Sequence, residues 1–577
     1  MADFDIIIRR GTVVDGTGGA PRVTDVGVTN GRVACVGDLS GERSRQEIDA
    51  RGLVVAPGVI NPHTHYDAQI YWDPYCTNSG WHGVTGVVVG NCGFGFSPCR
   101  KSDRERYMLM MENTEQVPLG AMRTALPWDW ESYPEWIASV RSIKKGINLG
   151  AFLPMNSLMM WVMGYEAAKT RPATVDERAE MRRLLHEAMD CGALGFGFSY
   201  LQETNSHKDV DGSPMITDAM HEEEAINLAR VLAERGEGVI QALVETSPKN
   251  IKNRKLVEKL AEISGRPVLH TVIMANDKQP GQHRAILKWL DETAARGLQI
   301  YSQALCFRFM PMAFVVKDFD GWQAVPIFNE FQHPGDGDTI DARVAKALDP
   351  DYRARLGRPD GDGSRYVDKL LLVDAAGSAR LAPFVGKSFE EIGRALGQPA
   401  TDAFMDLCAE TRLSCEVWPD RDVPNVDYVT EINAHPRVLP GTSDGGAHVK
   451  FWSGGQYGTD LITWLVRDEK KITLEHMHHK LSAVPAEALG WKDRGVIKVG
   501  NAADIMIYDL QELGVATTAY ETVRDLPEGD WRRVARAKGV HWILVNGEVT
   551  FHDNICTGAT PGRLLGPVRE RELAAAE

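Results

Sequence analysis

Two histidines one residue apart, His63 and His65, close an apolar run, Leu53-Val54-Val55-Ala56-Pro57-Gly58-Val59-Ile60, within Pro62-His63-Thr64-His65-Tyr66-Asp67. A strand repeats its side-chain direction every two residues, so both imidazoles point the same way. Two neutral imidazoles on one face at a strand's carboxyl end suit a divalent metal. Spacing alone decides little, because the chain holds a second His-x-His at His476-Met477-His478. That one lies in a segment that reads as a helix with Thr473 near its N-cap. Residues two apart on a helix face away from each other. Strand context is what makes His63 and His65 the metal candidates.

Further residues of the right chemistry follow other apolar runs. In Gly90-Asn91-Cys92-Gly93-Phe94-Gly95 the glycines let the backbone approach closely and aim Cys92 inward. A thiolate there binds zinc well and can bridge two ions, whereas the plain alternative is a small buried hydrophobe. Cys76 and Cys99 are read in that plain way. His270, in Leu269-His270-Thr271, reads as a ligand, as a group holding a substrate carbonyl, or as a satisfied core histidine. Asp444 lies in the glycine-rich Gly441-Thr442-Ser443-Asp444-Gly445-Gly446-Ala447-His448. Its carboxylate serves turn chemistry by default. Facing a His-x-His, it can instead bind metal and take a proton from water. His448 reads as an orienting group, a donor to substrate or a structural residue.

These residues need a scaffold that gathers strand ends. The middle of the chain alternates short apolar strands with amphipathic helices, which indicates βα units and a parallel sheet. Strands are predicted at Val54–Ile60, Gly86–Val89, Asn148–Phe152, Ala193–Phe198, Gly238–Leu243, Pro267–Val272, Leu298–Gln303 and Arg437–Pro440. Helices are predicted at Val175–Cys191, His221–Arg235, Asn253–Ser264 and Arg284–Ala295. Eight strands favour a barrel, whose catalytic groups project from the carboxyl ends. Both chain ends read instead as β-rich, with hairpin signals at Asn30-Gly31 and Asn546-Gly547. The fold expected is an α/β, TIM-type (β/α)8 barrel over 57–490, with a small β-sandwich built from 1–56 and 491–577. A long insertion at about 306–436 holds expected helices Ser388–Gly397 and Thr401–Arg412. Its length suits a lid, a substrate-binding subdomain or an oligomer contact, with surface decoration as the plain alternative.

The 577 residues suffice for one large domain plus a smaller one, or for two or three ordinary domains. The formal charge of -15 is spread along the chain, which argues against a nucleic-acid surface. No charged n-region precedes an h-region, and no apolar stretch is long enough for a membrane span. Nine cysteines without a C-x-x-C argue against a disulfide framework and for a reducing cytoplasm. The partners expected are a small-molecule substrate and further copies of this chain, with neither nucleic acid nor membrane.

The run Val55-Ala56-Pro57-Gly58-Val59-Ile60-Asn61-Pro62-His63-Thr64-His65 resembles the amidohydrolase superfamily. Ser79-Gly80-Trp81-His82-Gly83-Val84-Thr85, Gly90-Asn91-Cys92-Gly93, Ser443-Asp444-Gly445-Gly446-Ala447-His448 and Gly500-Asn501-Ala502-Ala503-Asp504 are similar to its D-aminoacylase branch, the N-acyl-D-amino-acid deacylases. The resemblance covers nearly the whole chain and implies a distorted barrel plus a β-sandwich. It also implies metal ligands from the His-x-His pair, a bridging cysteine, histidines after strands five and six, and the strand-eight aspartate. His63, His65, Cys92, His270 and Asp444 match those positions. No strand-five histidine matches; Gln241 and Glu245 stand nearest. The Gly-His after strand three is replaced by Phe152-Leu153-Pro154-Met155-Asn156-Ser157-Leu158, and no arginine for an acyl-amino-acid carboxylate follows strand five.

The expected activity is hydrolysis of an amide C–N bond of a small molecule, such as an N-acyl amino acid, by a metal-bound hydroxide. Asp444 would be the general base, and His270 or His448 would stabilise the oxyanion. One zinc ion on His63, His65 and Asp444, completed or bridged by Cys92, is the first expectation; a second zinc or another divalent ion suits the same ligand types. Asn156, Tyr200, Gln241, Arg308 and His448 are the substrate-binding candidates. Met155, Trp161, Phe307 and Phe309 would add apolar lining. A carbamate, urea, cyclic amide or lactone would be open to the same attack, and a degenerate barrel kept for binding or assembly is the non-enzymatic alternative.

Overall fold

The computed structural model describes residues 3–202, 207–246, 251–277, 279–305, 308, 313–318, 326–335, 339–358, 362–419, 423–451, 454–516 and 521–567. Eight parallel strands form the barrel in chain order. They are Val59–Asn61 (continued by His63–Thr64), Val84–Val89, Asn148–Ala151 (continued by Leu153–Pro154), Gly195–Ser199, Val239–Leu243, Val268–Ile273, Ile300–Ala304 and Val438–Pro440 (continued by Thr442–Gly445). We refer to them as strands one to eight. The circuit closes because Thr442 pairs with His63 and Gly445 with Thr64 in a parallel pair. Each sequence-predicted barrel strand is present. The first differs: Val54–Pro57 pairs with Ile505–Tyr508 in the terminal sheet, and only Val59 onward enters the barrel, pairing with Val84.

The strands are buried on both faces, as parallel strands between a barrel interior and a helix layer must be. One apolar residue from each strand or its immediate flank meets at the interior floor: Ile60, Val88, Phe152, Leu194, Val239, Leu269, Tyr301 and Leu439. Trp491, only 2% exposed, joins this layer from below. Its ring lies against the backbone of strands two and three, where a Cβ on Gly86 or Gly150 would come within 3.1 or 2.7 Å of it. The barrel is therefore plugged at its amino end, and polar side chains one step further along each strand face the opposite mouth.

The helices predicted between strands three and seven are found at Val175–Asp190, Glu222–Arg235, Ile251–Ser264 and Gly281–Ala295. Thr174 opens the first with a reciprocal capping box to Glu177. Both chain ends contribute to one nine-stranded sheet, in which Ile505–Tyr508 lies between Val540–Val545 and Val54–Pro57. The chain then returns to the barrel, where Leu149 N–H donates to Arg563 O and Leu565 N–H to Leu149 O. The insertion before strand eight has its own packed interior, with Phe328, Phe331, Tyr352, Phe389 and Phe404 fully buried. Its predicted helices appear as Phe389–Leu396, capped by Ser388, and Ala400–Glu410. Among the described residues no helix is long and apolar enough to cross a membrane.

Trp491→Ala should leave a cavity under the barrel and cost about 3–5 kcal/mol of stability, measured by chemical denaturation. A variant as stable as its parent would show that the floor closes without the plug.

Candidate active site

Two strand ends and two loops build the site. Closure of strand eight on strand one brings Asp444 beside the His-x-His pair. Its Oδ1 lies 3.4 Å from His63 Nε2 and 3.7 Å from His65 Nε2. Cys92 Sγ stands 3.5 Å from His63 Nε2. His63, His65 and Cys92 form a buried cluster of ligand atoms. Ligands held about 2.0–2.3 Å from a zinc ion at tetrahedral angles stand about 3.3–3.6 Å apart. The His63, Cys92 and Asp444 separations match that spacing, so these donors fit a single divalent ion.

The loop after strand two is tightly fixed. Gly90 has φ +78, and a Cβ there would meet Phe152 O at 2.6 Å. Its N–H donates to Asp67 Oδ1 at 3.0 Å, while Asn91 Nδ2 donates to Thr64 O and Val88 O. Cys92, Asp444 and His448 all hold positive φ (56, 46 and 54), a region that costs a non-glycine residue energy and clusters at functional sites.

Behind the cluster runs a chain of neutral polar groups. Cys92 N–H donates to Gln241 Oε1 (2.7 Å), and Gln241 Nε2 donates to Thr271 Oγ1 (3.0 Å). The Thr271 hydroxyl donates to Gln303 Oε1 (2.5 Å), which lies 3.0 Å from His63 Nδ1. Gln303 Nε2 is committed to Pro62 O at 3.2 Å, so Oε1 accepts the His63 Nδ1 proton. That fixes the tautomer in which the Nε2 lone pair faces the cluster.

Burial sets the charges. It holds the His65 imidazole well below its usual pKa, helped by His63, His448 and His207, so His65 is neutral and able to ligate. It pushes the Cys92 thiol well above its usual value, with Glu115 and Asp444 acting the same way. The Asp444 carboxyl is raised by burial and pulled back by His63.

Several predicted site residues lie elsewhere or do other work. His270 is corrected: Leu269 faces the barrel interior and Thr271 joins the polar chain, so His270 between them points outward. Its ring packs edge-on against Trp289 of helix Gly281–Ala295, at 5.3 Å between centroids. Neither ring nitrogen has a hydrogen-bond partner, and burial lowers its pKa to about 3. Gln241 is inside the barrel but spends both ends of its amide on Cys92 and Thr271. Asn156 also supports the Cys92 loop, donating to Gly93 O and accepting from Thr217 N–H, each at 3.1 Å. Tyr200 lines a surface depression with His221, Glu222 and Lys252. Arg308 is 44% exposed and pairs with Asp468 at 2.8 Å. Phe307 and Phe309 lie outside the described residues. Met155 is buried, and Trp161 stacks under Arg100. His448 does reach the site, with Nδ1 3.1 Å from Gln116 Oε1. The second His-x-His behaves as its helix requires: His478 is buried and bonded to Tyr508 OH, and His476 lies apart from it.

Two residues of the site were not anticipated. Glu115, the last residue of helix Arg104–Glu115, places Oε2 3.6 Å from His65 Nε2 and 3.8 Å from His448 Nε2. His207 couples electrostatically to His63, His65 and His448. The available signal for Glu115 was the long excursion between strands two and three, ending a methionine-rich helix on an acid.

The sequence signature of the amidohydrolase family matches residues 46–551. The N-acyl-D-glutamate deacylase of Alcaligenes xylosoxydans xylosoxydans is 26% identical over 97% of this chain and 96% of its own length. A crystal structure of D-aminoacylase, described as defining a novel subset of amidohydrolases, superposes with a TM-score of 0.65 at 22% identity, covering 98% of this chain and all of that one. The N-acyl-D-glutamate deacylase of Bordetella bronchiseptica, complexed with zinc and a phosphonate mimic of the tetrahedral intermediate, superposes at 0.63 with 22% identity, covering 97% and 99%.

Gln303→Leu should leave the fold intact and weaken zinc retention by about 10–100-fold, because His63 loses the acceptor that orients it. Equilibrium dialysis checks this; unchanged affinity would mean that strand geometry alone aims the ring.

Proposed function

This chain belongs to the amidohydrolase family, enzymes acting on carbon–nitrogen bonds other than peptide bonds, and we propose that it hydrolyses a small-molecule amide at the His63–His65–Cys92–Asp444 centre. The observation that carries this reading is the set of donor separations, 3.4 to 3.7 Å, converging on His63 and Asp444. Zinc is the ion we assign, from the imidazole, thiolate and carboxylate donors and from the zinc held by the Bordetella relative. Such an ion lowers the pKa of bound water from about 15.7 towards about 7 and polarises a carbonyl.

The residues of this chain supply the remaining steps. His63, fixed through Gln303, and His65, kept neutral by burial, hold the reacting centre in place. Asp444 keeps 20% of its side chain exposed, so it faces both the cluster and the mouth. It accepts a proton from the attacking water and returns it to the departing amine, leaving a carboxylate and an amine as products. With His270 turned outward, His448 is the remaining candidate from the sequence for a donor to the developing oxyanion. We put N-acyl-D-amino acids first among the substrates to test, because relatives named as N-acyl-D-amino-acid deacylases support that class.

Asp444→Asn should lower kcat by at least about 10²-fold, the usual worth of a positioned base, while zinc stays bound to the other donors. Turnover measured on a panel of N-acyl-D- and L-amino acids, carbamates and cyclic amides reads both the loss and the substrate. Near-normal turnover in this variant would remove Asp444 from the base role.

A further inference from the structure

The loop after strand four carries a buried acid that the site described above does not use. Asp209 is 4% exposed. Its carboxylate meets Lys169 Nζ at 2.6 Å and Arg106 Nη1 at 3.2 Å. A buried carboxylate needs pairing, and two cations from two separate helices supply it. Arg106 belongs to helix Arg104–Glu115 and Lys169 to helix Tyr165–Thr170. The Arg106 guanidinium also lies over the Tyr165 ring, 3.6 Å from its centroid, so the two helices hold each other as well as the loop.

Backbone bonds extend this clamp. Asn113 lies two turns beyond Arg106 on the same helix face, and its Nδ2 donates to Lys208 O at 2.5 Å. Within the loop, Asp209 N–H donates to Ser213 O at 2.9 Å and Gly212 N–H to Asp209 O at 2.8 Å. Lys169 Nζ donates to Ser213 Oγ at 2.5 Å, and Tyr165 OH to Asp211 Oδ2 at 2.9 Å. The turn is thus tied down through both main chain and side chains. Two residues before Asp209, the His207 ring packs edge-on against Phe94, at 5.8 Å between centroids. Phe94 lies two residues beyond Cys92, in the same loop. His207 couples electrostatically to His63, His65 and His448, yet it stands outside the ligand cluster of His63, His65 and Cys92. Helix Arg104–Glu115, which grips the turn through Arg106 and Asn113, ends beside His65 and His448. Clamp and metal centre therefore share one frame.

We propose that His207 contacts the substrate, hydrogen-bonding the amide bound at the centre, and that Asp209 is the positioning residue that holds it there. An imidazole beside the metal donors but not among them faces whatever the centre binds. Its ring nitrogens can donate or accept, and Phe94 fixes the face of the ring away from the substrate. Ordering lysine and arginine side chains costs entropy, and a contact that must be placed closely is where that cost is met. The inference rests on the amide-hydrolase reading given above and adds to it a contact on the substrate side.

The test is kcat/KM of the full-length, zinc-loaded protein on the amide it turns over best, with zinc content measured alongside. His207→Ala should lower kcat/KM about 3–10-fold, the worth of one hydrogen bond, with zinc content unchanged. His207→Gln, which keeps a donor and an acceptor, should recover most of that loss. Asp209→Asn should lower kcat/KM on its own but add nothing in the His207→Ala background, because it acts through His207. Where Asp209→Asn does not fold, Lys169→Gln removes the same ion pair from its other side and takes its place in the cycle. Unchanged kcat/KM in His207→Ala, or zinc lost from it, overturns the contact. Losses that multiply in the double variant overturn the positioning role, since a merely structural change would add to any other. A parent that hydrolyses no amide of the panel would instead overturn the reading of the function, and this inference with it.

Discussion

His63 donates an Nδ1–H hydrogen bond to Gln303 Oε1, and the rest of the site depends on that bond. The accepting oxygen also takes the Thr271 hydroxyl, which in turn receives the Gln241 amide, which holds the Cys92 backbone. Strands one, five, six and seven and the loop after strand two are thereby tied into one polar layer. It rests on an apolar floor closed by Trp491. Removing a member strands a buried partner, at a cost of about 1–3 kcal/mol. The layer also depends on register. A slip of one residue in strand six would turn Thr271 out and His270 in, because side chains alternate faces. The tautomer of His63 and the placement of Cys92 are thus consequences of one hydrogen-bonded layer.

Much of this was legible in the residues. The apolar runs and turn signals located eight strands, and glycines around Cys92 and Asp444 marked loops that must approach other backbone closely. The pairing of Val54–Pro57 with the terminal sheet was not legible, since an unbroken apolar run does not say where one sheet ends and another begins. The direction of His270 was hidden for a related reason. A parallel barrel strand is buried on both faces, so hydrophobicity carries no period of two, and neither Leu269 nor Thr271 announces which side is inside. Its place after strand six and the family resemblance matched His270 to a ligand position; packing against Trp289 assigned it to the helix layer. Glu115 was passed over because nothing local links it to the loop after strand eight. Its contact with His448 spans most of the chain and exists only once the barrel has closed.

The electrostatics explain why these parts belong together. Burial pushes Asp67 up to about 7, raises Asp444, and holds Glu115 and the Cys92 thiol well above their usual values. It holds His65 and His448 below theirs. Every shift has the same leading cause: charged forms are disfavoured where water is excluded. A site of protonated acids and neutral imidazoles would have no use for so many convergent donors. A divalent cation held by His63, His65, Cys92 and Asp444 would reverse the balance for those donors, stabilising the thiolate and carboxylate while requiring the imidazoles to stay neutral. Protons would leave as such an ion entered, so affinity would rise with pH in the range where those acids titrate. The features that look costly in isolation are what a cation-binding barrel mouth requires. They include residues at positive φ and a thiol among carboxyls.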